Sequence, residues 1–256
     1  MPNTTYVGIK TLLRKEVNRI LRIWTQTLLP PAITMTLYFI IFGNLIGSRI
    51  GEMDGFDYMS FIVPGLVMMA VITSSYGNMV SSFFGAKFAK HIEELLISPM
   101  PNWAILAGYV GGCLFRGLAV GVIVTGVSLF FTEIQMHNIW IVLSTVILTS
   151  VVFSLAGFIN AAFATKFDDI AIIPTFILTP LTYLGGVFYS ISLLPDFWQG
   201  VSKINPVLYM VNTFRYGFLG VSDINIYVAY SLIISFVVIL GFFSWLILHK
   251  GWGLRS

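Results

Sequence analysis

Long apolar stretches alternate with short polar stretches along the whole chain. Several of them exceed the ~20 residues that an α-helix needs to cross the ~30 Å hydrocarbon core of a bilayer. Their positions predict six membrane spans, at about 24–47, 58–83, 103–131, 138–164, 171–190 and 226–248. We therefore expect an all-α integral membrane protein with one transmembrane domain over residues 1–256.

Residues 1–23, ahead of the first predicted span, are amphipathic at helical spacing. Lys15, Asn18, Arg19 and Arg22 fall opposite an apolar arc formed by Ile9, Leu12, Leu13, Val17, Ile20, Leu21 and Trp24. This pattern predicts a helix that lies on the cytoplasmic surface of the membrane. A plain basic anchor that only fixes orientation is the alternative. Pro30 and Pro31 then break or kink the chain where it enters the bilayer.

The segment 84–99 between the second and third spans is also amphipathic. Its apolar residues recur at helical spacing and predict a short helix that ends at Pro99. Such a helix can dock into a groove on a soluble partner, or it can lie on the lipid surface as a connector. The pattern alone leaves both interpretations open.

The segment 190–222 is too apolar for a free external loop and too often interrupted for an ordinary span. Pro195, Gly200 and Pro206 divide it into two short helical pieces. We expect these pieces to be re-entrant helices that dip into the outer leaflet, which requires protein to cover their free backbone groups.

Composition excludes a soluble domain. Charged residues make up only 10% of the chain and hydrophobic residues 57%, against about 25% charged residues in soluble proteins. The small net charge of +3 and the clustering of basic residues beside the spans argue against a nucleic-acid partner.

The distribution of basic residues predicts that both termini are cytoplasmic. Cytoplasmic loops are enriched in Lys and Arg. One predicted face carries Lys10, Arg14, Lys15, Arg19, Arg22, Lys87, Lys90, Lys166, Lys250 and Arg255, and the opposite face only Arg49, Lys203 and Arg215.

The chain lacks the motifs of the common catalytic and metal sites. It contains no Gly-Lys dipeptide, so it has no phosphate-binding G-x-x-x-x-G-K-[ST] loop and cannot bind ATP by that device. The three histidines are far apart in sequence, which makes a metal site improbable. No Asp or Glu falls within a predicted span, which disfavours a proton-coupled carrier. We expect neither catalytic residues nor a cofactor or metal in this chain.

Arg116 is the one charged residue within a predicted span. An intramembrane arginine usually faces a cavity or an internal partner rather than lipid, so Arg116 is a candidate for the translocation path. The alternative is that it braces neighbouring helices. Gly108 with Gly112, and Gly117 with Gly121, have the four-residue spacing that permits close helix packing, either within one subunit or at a dimer seam.

Three stretches resemble the ABC-2 type transporter permeases, and among them the inner-membrane permeases of Gram-negative bacteria. They are IWTQTLLPPAITMTLYFIIFGNLIGSRIG from Ile23, FFGAKF with IEELLISPMP from Phe83, and the long stretch from Pro174 that begins PTFILTPLTYLGGVFYS. The last stretch contains a Gly-Gly-x-Phe element made of Gly185, Gly186 and Phe188. These three residues join Arg116 as candidates for a translocation or structural role.

The resemblance implies a permease subunit without its own nucleotide-binding domain. Two copies would pair with two ATPase subunits, which would bind the ATP and magnesium, in the bacterial cytoplasmic membrane. The helix over 84–99 would be the coupling helix on the ATPase, with contact residues Phe88, Ile92, Glu93, Glu94, Leu95 and Leu96. Export of a drug, a lipid or a lipid-linked saccharide would follow. An oligomeric channel that works without an ATPase and a membrane scaffold are the rival functions.

Overall fold

The computed structural model describes residues 4–254, which are mostly helical. Arg255, one of the basic residues of the predicted cytoplasmic face, lies outside the described residues, as do residues 1–3 of the predicted N-terminal helix. In chain order the elements are α1 (Thr4–Arg22), α2 (Trp24–Ile50), β1 (Glu52–Met53), β2 (Phe56–Asp57), α3 (Tyr58–Phe88), α4 (His91–Ile97), α5 (Asn102–Ser128), α6 (Ile139–Phe163), α7 (Asp169–Tyr183), α8 (Asp196–Ile204), α9 (Pro206–Leu219) and α10 (Ile226–Lys250).

The long helices run between two ends of the molecule. At the hairpin end, β1 and β2 pair antiparallel, and the hydroxyls of Ser60 and Thr132 lie 2.8 Å apart, which ties the start of α3 to the segment after α5. At the α4 end, Lys87 Nζ donates to the carbonyl oxygens of Ala162 and Ala164 at 2.6 and 2.7 Å. These bonds join the last turn of α3 to the last turn of α6.

Helix α3 forms the centre of the bundle. It is apolar on all sides, and 89% of its most apolar stretch is buried against other helices, chiefly α5, α6 and α9. A helix of that composition needs either lipid or protein around its whole circumference. Because α3 is enclosed by protein, α2 and α10 are left on the outside, and only 18% and 22% of their most apolar stretches are buried.

Within residues 4–254, five helices are long and apolar enough to cross a membrane, namely α2, α3, α5, α6 and α10. Helix α7, where the fifth span was expected, is apolar but shorter than the ~20 residues of a full crossing. It winds more widely at Pro174–Leu178, because the proline at position 174 interrupts regular α-helical bonding. Helix α2 also widens over Phe39–Ile46, after restarting at Leu29 with Pro30 and Pro31 in its first turn.

Glycines allow α5 to approach other parts of the same chain. A Cβ atom at Gly108 would lie 2.6 Å from the Leu12 side chain of α1, and one at Gly112 would lie 2.5 Å from Glu16. A Cβ atom at Gly117 would lie 2.5 Å from the hydroxyl oxygens of both Ser75 and Ser150, and one at Gly121 would lie 3.3 Å from the Val71 side chain. Both four-residue glycine pairs therefore serve packing within the subunit.

The amphipathic segment 84–99 and the interrupted segment 190–222 are also helical. The helix expected over 84–99 is divided, because α3 continues to Phe88 and the chain then turns at Lys90, whose φ of 62° lies in the left-handed region. The short helices expected in 190–222 are α8 and α9, although Gly200 lies inside α8 instead of breaking it. Their depth in a membrane stays a prediction.

Candidate functional site

Helix α4 presents some of the predicted contact residues and buries others. Phe88, at the end of α3, is 63% exposed, and Glu93 and Glu94 are exposed on α4. Ile92 is only 1% exposed, and the half-buried Leu95 and Leu96 pack against the same apolar cluster. The turn at Lys90 produces this division, since it rotates α4 so that Ile92 faces the bundle. Ile92, Leu95 and Leu96 therefore hold α4 in place, whereas Phe88 and the two glutamates are accessible.

Two aromatic residues form an exposed patch at the α4 end. The rings of Phe88 and Phe167 lie 5.0 Å apart, and both pack on the buried ring of Phe84. Phe167 is held by a tight turn in which Asp169 Oδ2 accepts hydrogen bonds from the backbone N–H and hydroxyl of Thr165. A pocket of about 310 Å³ beside this patch is lined by Phe88, Lys90 and Glu93, among others. We call Phe88, Phe167, Lys90 and Glu93 the docking patch.

Arg116 lies near the middle of α5 in a partly buried polar cluster. Its Nη1 donates to Asn78 Oδ1 of α3 at 3.5 Å, and Arg19 Nη2 of α1 donates to the same oxygen at 2.7 Å. Arg19 also donates twice to Glu16 Oε2, at 3.1 and 3.2 Å. The Asn78 amide oxygen therefore accepts hydrogen bonds from both guanidinium groups. The Glu16 carboxylate bonds to Arg19 but not to Arg116.

Glu16 connects the N-terminal helix to the bundle. It is fully buried, and its Oε2 accepts a hydrogen bond from Ser82 Oγ of α3 at 2.7 Å. Gly112 makes this possible, because any side chain there would occupy the space of Glu16. Helix α1 is thus bound to the bundle through its Leu12, Glu16 and Ile20 face, while Leu21 and Trp24 remain about half exposed.

Gly185, Gly186 and Phe188 form a tight turn at the end of α7. Gly186 has a φ of 71°, which favours glycine. Its carbonyl oxygen accepts a hydrogen bond from Arg215 Nη2 of α9 at 2.6 Å. The carbonyl group of Val187 lies directly against Gly65 of α3, where a Cβ atom would collide with it. Tyr58 donates its hydroxyl to the Phe188 carbonyl oxygen at 3.1 Å, so donors from α3 and α9 fix the turn.

Phe188 belongs to an aromatic cluster between α2 and α7. Its ring lies 4.6 Å from that of Phe42 and 5.6 Å from that of Tyr183, nearly parallel to the latter. The hydroxyls of Tyr38 and Tyr183 are 2.9 Å apart. The turn that follows α7 therefore holds that helix against α2.

Sequence reasoning missed two charged residues that the structure buries. Arg215 was counted as an external charge, but it is 1% exposed and its guanidinium lies 3.9 Å from the centre of the Phe61 ring. Glu16 falls in the predicted N-terminal helix and was not singled out. Its signal was its spacing of four residues from Leu12 and from Ile20, which places all three on one helical face.

No metal centre is indicated by the described side chains. Among residues 4–254, no group of three or more His, Cys, Asp and Glu residues is arranged to hold a metal ion.

Comparisons with known proteins cover nearly the whole chain. A family model described as "ABC-2 type transporter" matches residues 7–219. "Inner membrane transport permease YadH" of Escherichia coli (strain K12) is 57% identical over 256 residues, which is 100% of both chains. "Nodulation protein J" of Rhizobium meliloti (strain 1021) is 22% identical over 217 residues, or 84% of this chain and 82% of that protein. The family match includes α4, Arg116 and the turn at Gly185–Phe188.

Proposed function

Because the chain belongs to the ABC-2 type transporter family, we propose that it is the membrane-spanning permease subunit of an ATP-driven exporter. It is a transport protein with several membrane-spanning helices. The name of its Escherichia coli relative, an inner membrane transport permease, supports a location in a bacterial inner membrane.

In the proposed topology the chain crosses the membrane six times with both termini in the cytoplasm. Helices α2, α3, α5, α6 and α10 supply five crossings, and the segment 171–190, which contains most of α7 and the turn after it, supplies the sixth. The basic residues at the α4 end support this orientation, since cytoplasmic loops are enriched in Lys and Arg. The hairpin end, with α8 and α9 as re-entrant helices, then faces outward.

The docking patch carries the proposal of a separate ATPase. It combines exposed aromatic rings with Lys90 and Glu93, and it lies at the proposed cytoplasmic end. Aromatic residues surrounded by polar residues are typical of protein interfaces. We assign this patch to an ATPase subunit that binds ATP and magnesium, whereas the permease itself hydrolyses nothing.

Two copies of the permease with two ATPase subunits form the proposed exporter, and the path runs between the two copies. The large outward faces of α2 and α10 support contact with lipid and with a second copy. Movement between conformations requires that ATP-bound ATPase favours one of them. The proposed cargo is a hydrophobic or amphiphilic compound, namely a drug, a lipid or a lipid-linked saccharide.

Co-purification tests the docking patch. The tagged permease is co-expressed with the soluble P-loop ATPases of its genome, beginning with any encoded beside its gene. We expect one ATPase to co-purify with the wild-type chain and to be lost with Phe88→Asp, because the substitution places a charge in an apolar contact. Phe197→Asp is the matched control, because Phe197 is an exposed phenylalanine on α8 at the other end, and this variant should retain the ATPase.

Three outcomes would contradict the proposal. Retention of the ATPase by Phe88→Asp would exclude the docking patch as its contact. Nucleotide-independent conductance of the purified chain in a planar bilayer would favour a channel, and absence of both an ATPase partner and transport would favour a scaffold.

A further inference from the structure

Arg116 has a positive charge that no carboxylate of the described chain balances. Among residues 4–254, the ion pairs of the cluster join Glu16 to Arg19 and to Lys15, and none reaches Arg116. Arg19 is close enough to repel Arg116 electrostatically. Arg116 Nε is buried without a hydrogen-bond partner. Arg116 is only partly buried, but a charge largely shielded from water is ordinarily paired, so an anion would complete this arrangement.

A cleft of about 320 Å³ lies next to Arg116. It is bounded by the start of α2, by α3 and by Arg116 itself, and its wall includes Gln26, Thr34, Thr73 and Ser74. Gln26, Thr34 and Ser74 offer hydroxyl and amide groups but no negative charge. The Thr73 hydroxyl already donates to the Met69 carbonyl oxygen at 2.9 Å, and the rest of the wall is mainly apolar. One cation and several neutral donors around a cleft are the chemistry that binds an anion.

The size and position of the cleft indicate what kind of anion fits. Water occupies about 30 Å³ per molecule, so the cleft accommodates a headgroup of phosphate size with a substituent, but not a whole lipid. The exposed apolar side chains of Ile33 and Leu37 continue along α2 from the cleft wall. An acyl or prenyl chain could follow this outward face in the hydrocarbon region.

We propose that this cleft binds the anionic, phosphate-type headgroup of an amphiphile, with Arg116 as the residue that pairs with its charge. The inference rests on the proposed function and sharpens it, since it makes the cargo an anionic amphiphile. Arg19 does not compete for the headgroup, because Glu16 already neutralises it.

Binding to the purified permease tests this site without an ATPase. The probe is a short-chain phosphatidic acid with a fluorescent acyl chain, titrated in neutral detergent and followed by anisotropy. We expect saturable binding to the wild type and at least about tenfold weaker binding to Arg116→Gln, as expected for a lost charge-assisted hydrogen bond. Arg116→Lys should restore most of the binding, because it keeps the charge.

Three controls make the result specific. Arg22→Gln, which removes an exposed arginine of α1, should bind the probe as the wild type does. The neutral diacylglycerol with the same label should bind the wild type and Arg116→Gln equally. Thr34→Trp fills the cleft and keeps the charge of Arg116, so it should also weaken binding. It replaces Arg116→Gln as the test variant if Arg116→Gln is poorly folded.

Equal binding of phosphatidic acid to the wild type, Arg116→Gln and Thr34→Trp would overturn the site. Displacement of the probe by millimolar inorganic phosphate would overturn the assignment to an amphiphile, because a free anion would then suffice. Either failure leaves co-purification with an ATPase unaffected, so a wrong headgroup site and a wrong exporter function give different results.

Discussion

Arg215 and Arg116 are both arginines in the interior of the bundle, but their surroundings differ. Arg215 donates to the Gly186 carbonyl oxygen and lies over the Phe61 ring, although its Nε and Nη1 have no hydrogen-bond partner among the described residues. Arg116 shares the Asn78 oxygen with another arginine and borders an open cleft lined by both polar and apolar side chains. Burial alone therefore does not reveal the role of a charge. The groups that surround it distinguish a fixed brace from a binding group.

Removal of Arg215 is expected to have the largest effect on stability. Arg215→Met leaves the Gly186 carbonyl oxygen without its donor and removes the guanidinium that lies over the Phe61 ring. A hydrogen bond from a charged group contributes about 1.5–3 kcal/mol, and a desolvated cation–π contact contributes about 2 kcal/mol more. Thermal unfolding of the purified permease, followed by intrinsic fluorescence, measures the change. Arg49→Met, at an exposed arginine of the same end, is the control, and equal melting of the two variants would refute the brace.

Neutralising Glu16 should have the next largest effect. Glu16→Gln leaves Arg19 and Arg116 close together without a negative charge, and charged hydrogen bonds contribute about 1.5–3 kcal/mol each. Adding Arg116→Gln to this variant should recover part of the loss, because it removes the repulsion. A double-mutant cycle on the unfolding free energies measures this coupling. Strictly additive losses would show that the two guanidinium groups do not interact.

Any side chain at Gly186 should strain the turn that accepts the Arg215 hydrogen bond and lower the stability of the protein. Gly186→Ala forces a left-handed conformation on alanine, which costs about 1–2 kcal/mol. Gly200→Ala is the matched control, since Gly200 lies inside α8 with open space around it. This substitution should leave the stability of the protein unchanged or raise it by up to about 1 kcal/mol. Unfolding midpoints compare the two, and an unchanged midpoint for Gly186→Ala would mean that the turn is not rigid.

The single substitution Arg116→Gln should change stability least, by under about 1 kcal/mol, because lost hydrogen bonding is offset by relief of repulsion from Arg19. Membrane insertion should remain intact while transport falls. The melting curve and the yield of membrane-integrated protein check the first part. Destabilisation as large as that of Arg215→Met would make Arg116 a second brace.

The difference between the two arginines also shows what the sequence could predict. Hydropathy predicted six spans, and five of them coincide with the long apolar helices of the described residues. It also singled out Arg116, because a lone charge in an apolar stretch is conspicuous, but its role stays a prediction. Arg215 was not conspicuous, since α9 is short, interrupted at both ends and only moderately apolar. Its burial depends on the contacts of α9 with α3 and α6, which are distant in sequence.

The docking patch was predictable only in part for the same reason. The amphipathic pattern over 84–99 identified a helix at this end, but it could not reveal that the chain turns at Lys90 and buries Ile92. Phe167 was not predicted at all, because it comes from the segment after α6 and meets Phe88 only in the folded chain. Local periodicity predicts which side of a helix is apolar, but not which neighbour covers it.

The rate of ATP hydrolysis tests most directly whether this permease is driven by a separate ATPase. The co-purifying ATPase is measured alone, with the wild-type permease in lipid nanodiscs, and with Phe88→Asp at equal protein concentration. We expect the wild-type permease to change the rate of hydrolysis and Phe88→Asp to leave it at the rate of the ATPase alone. The same rate in all three samples would contradict this expectation.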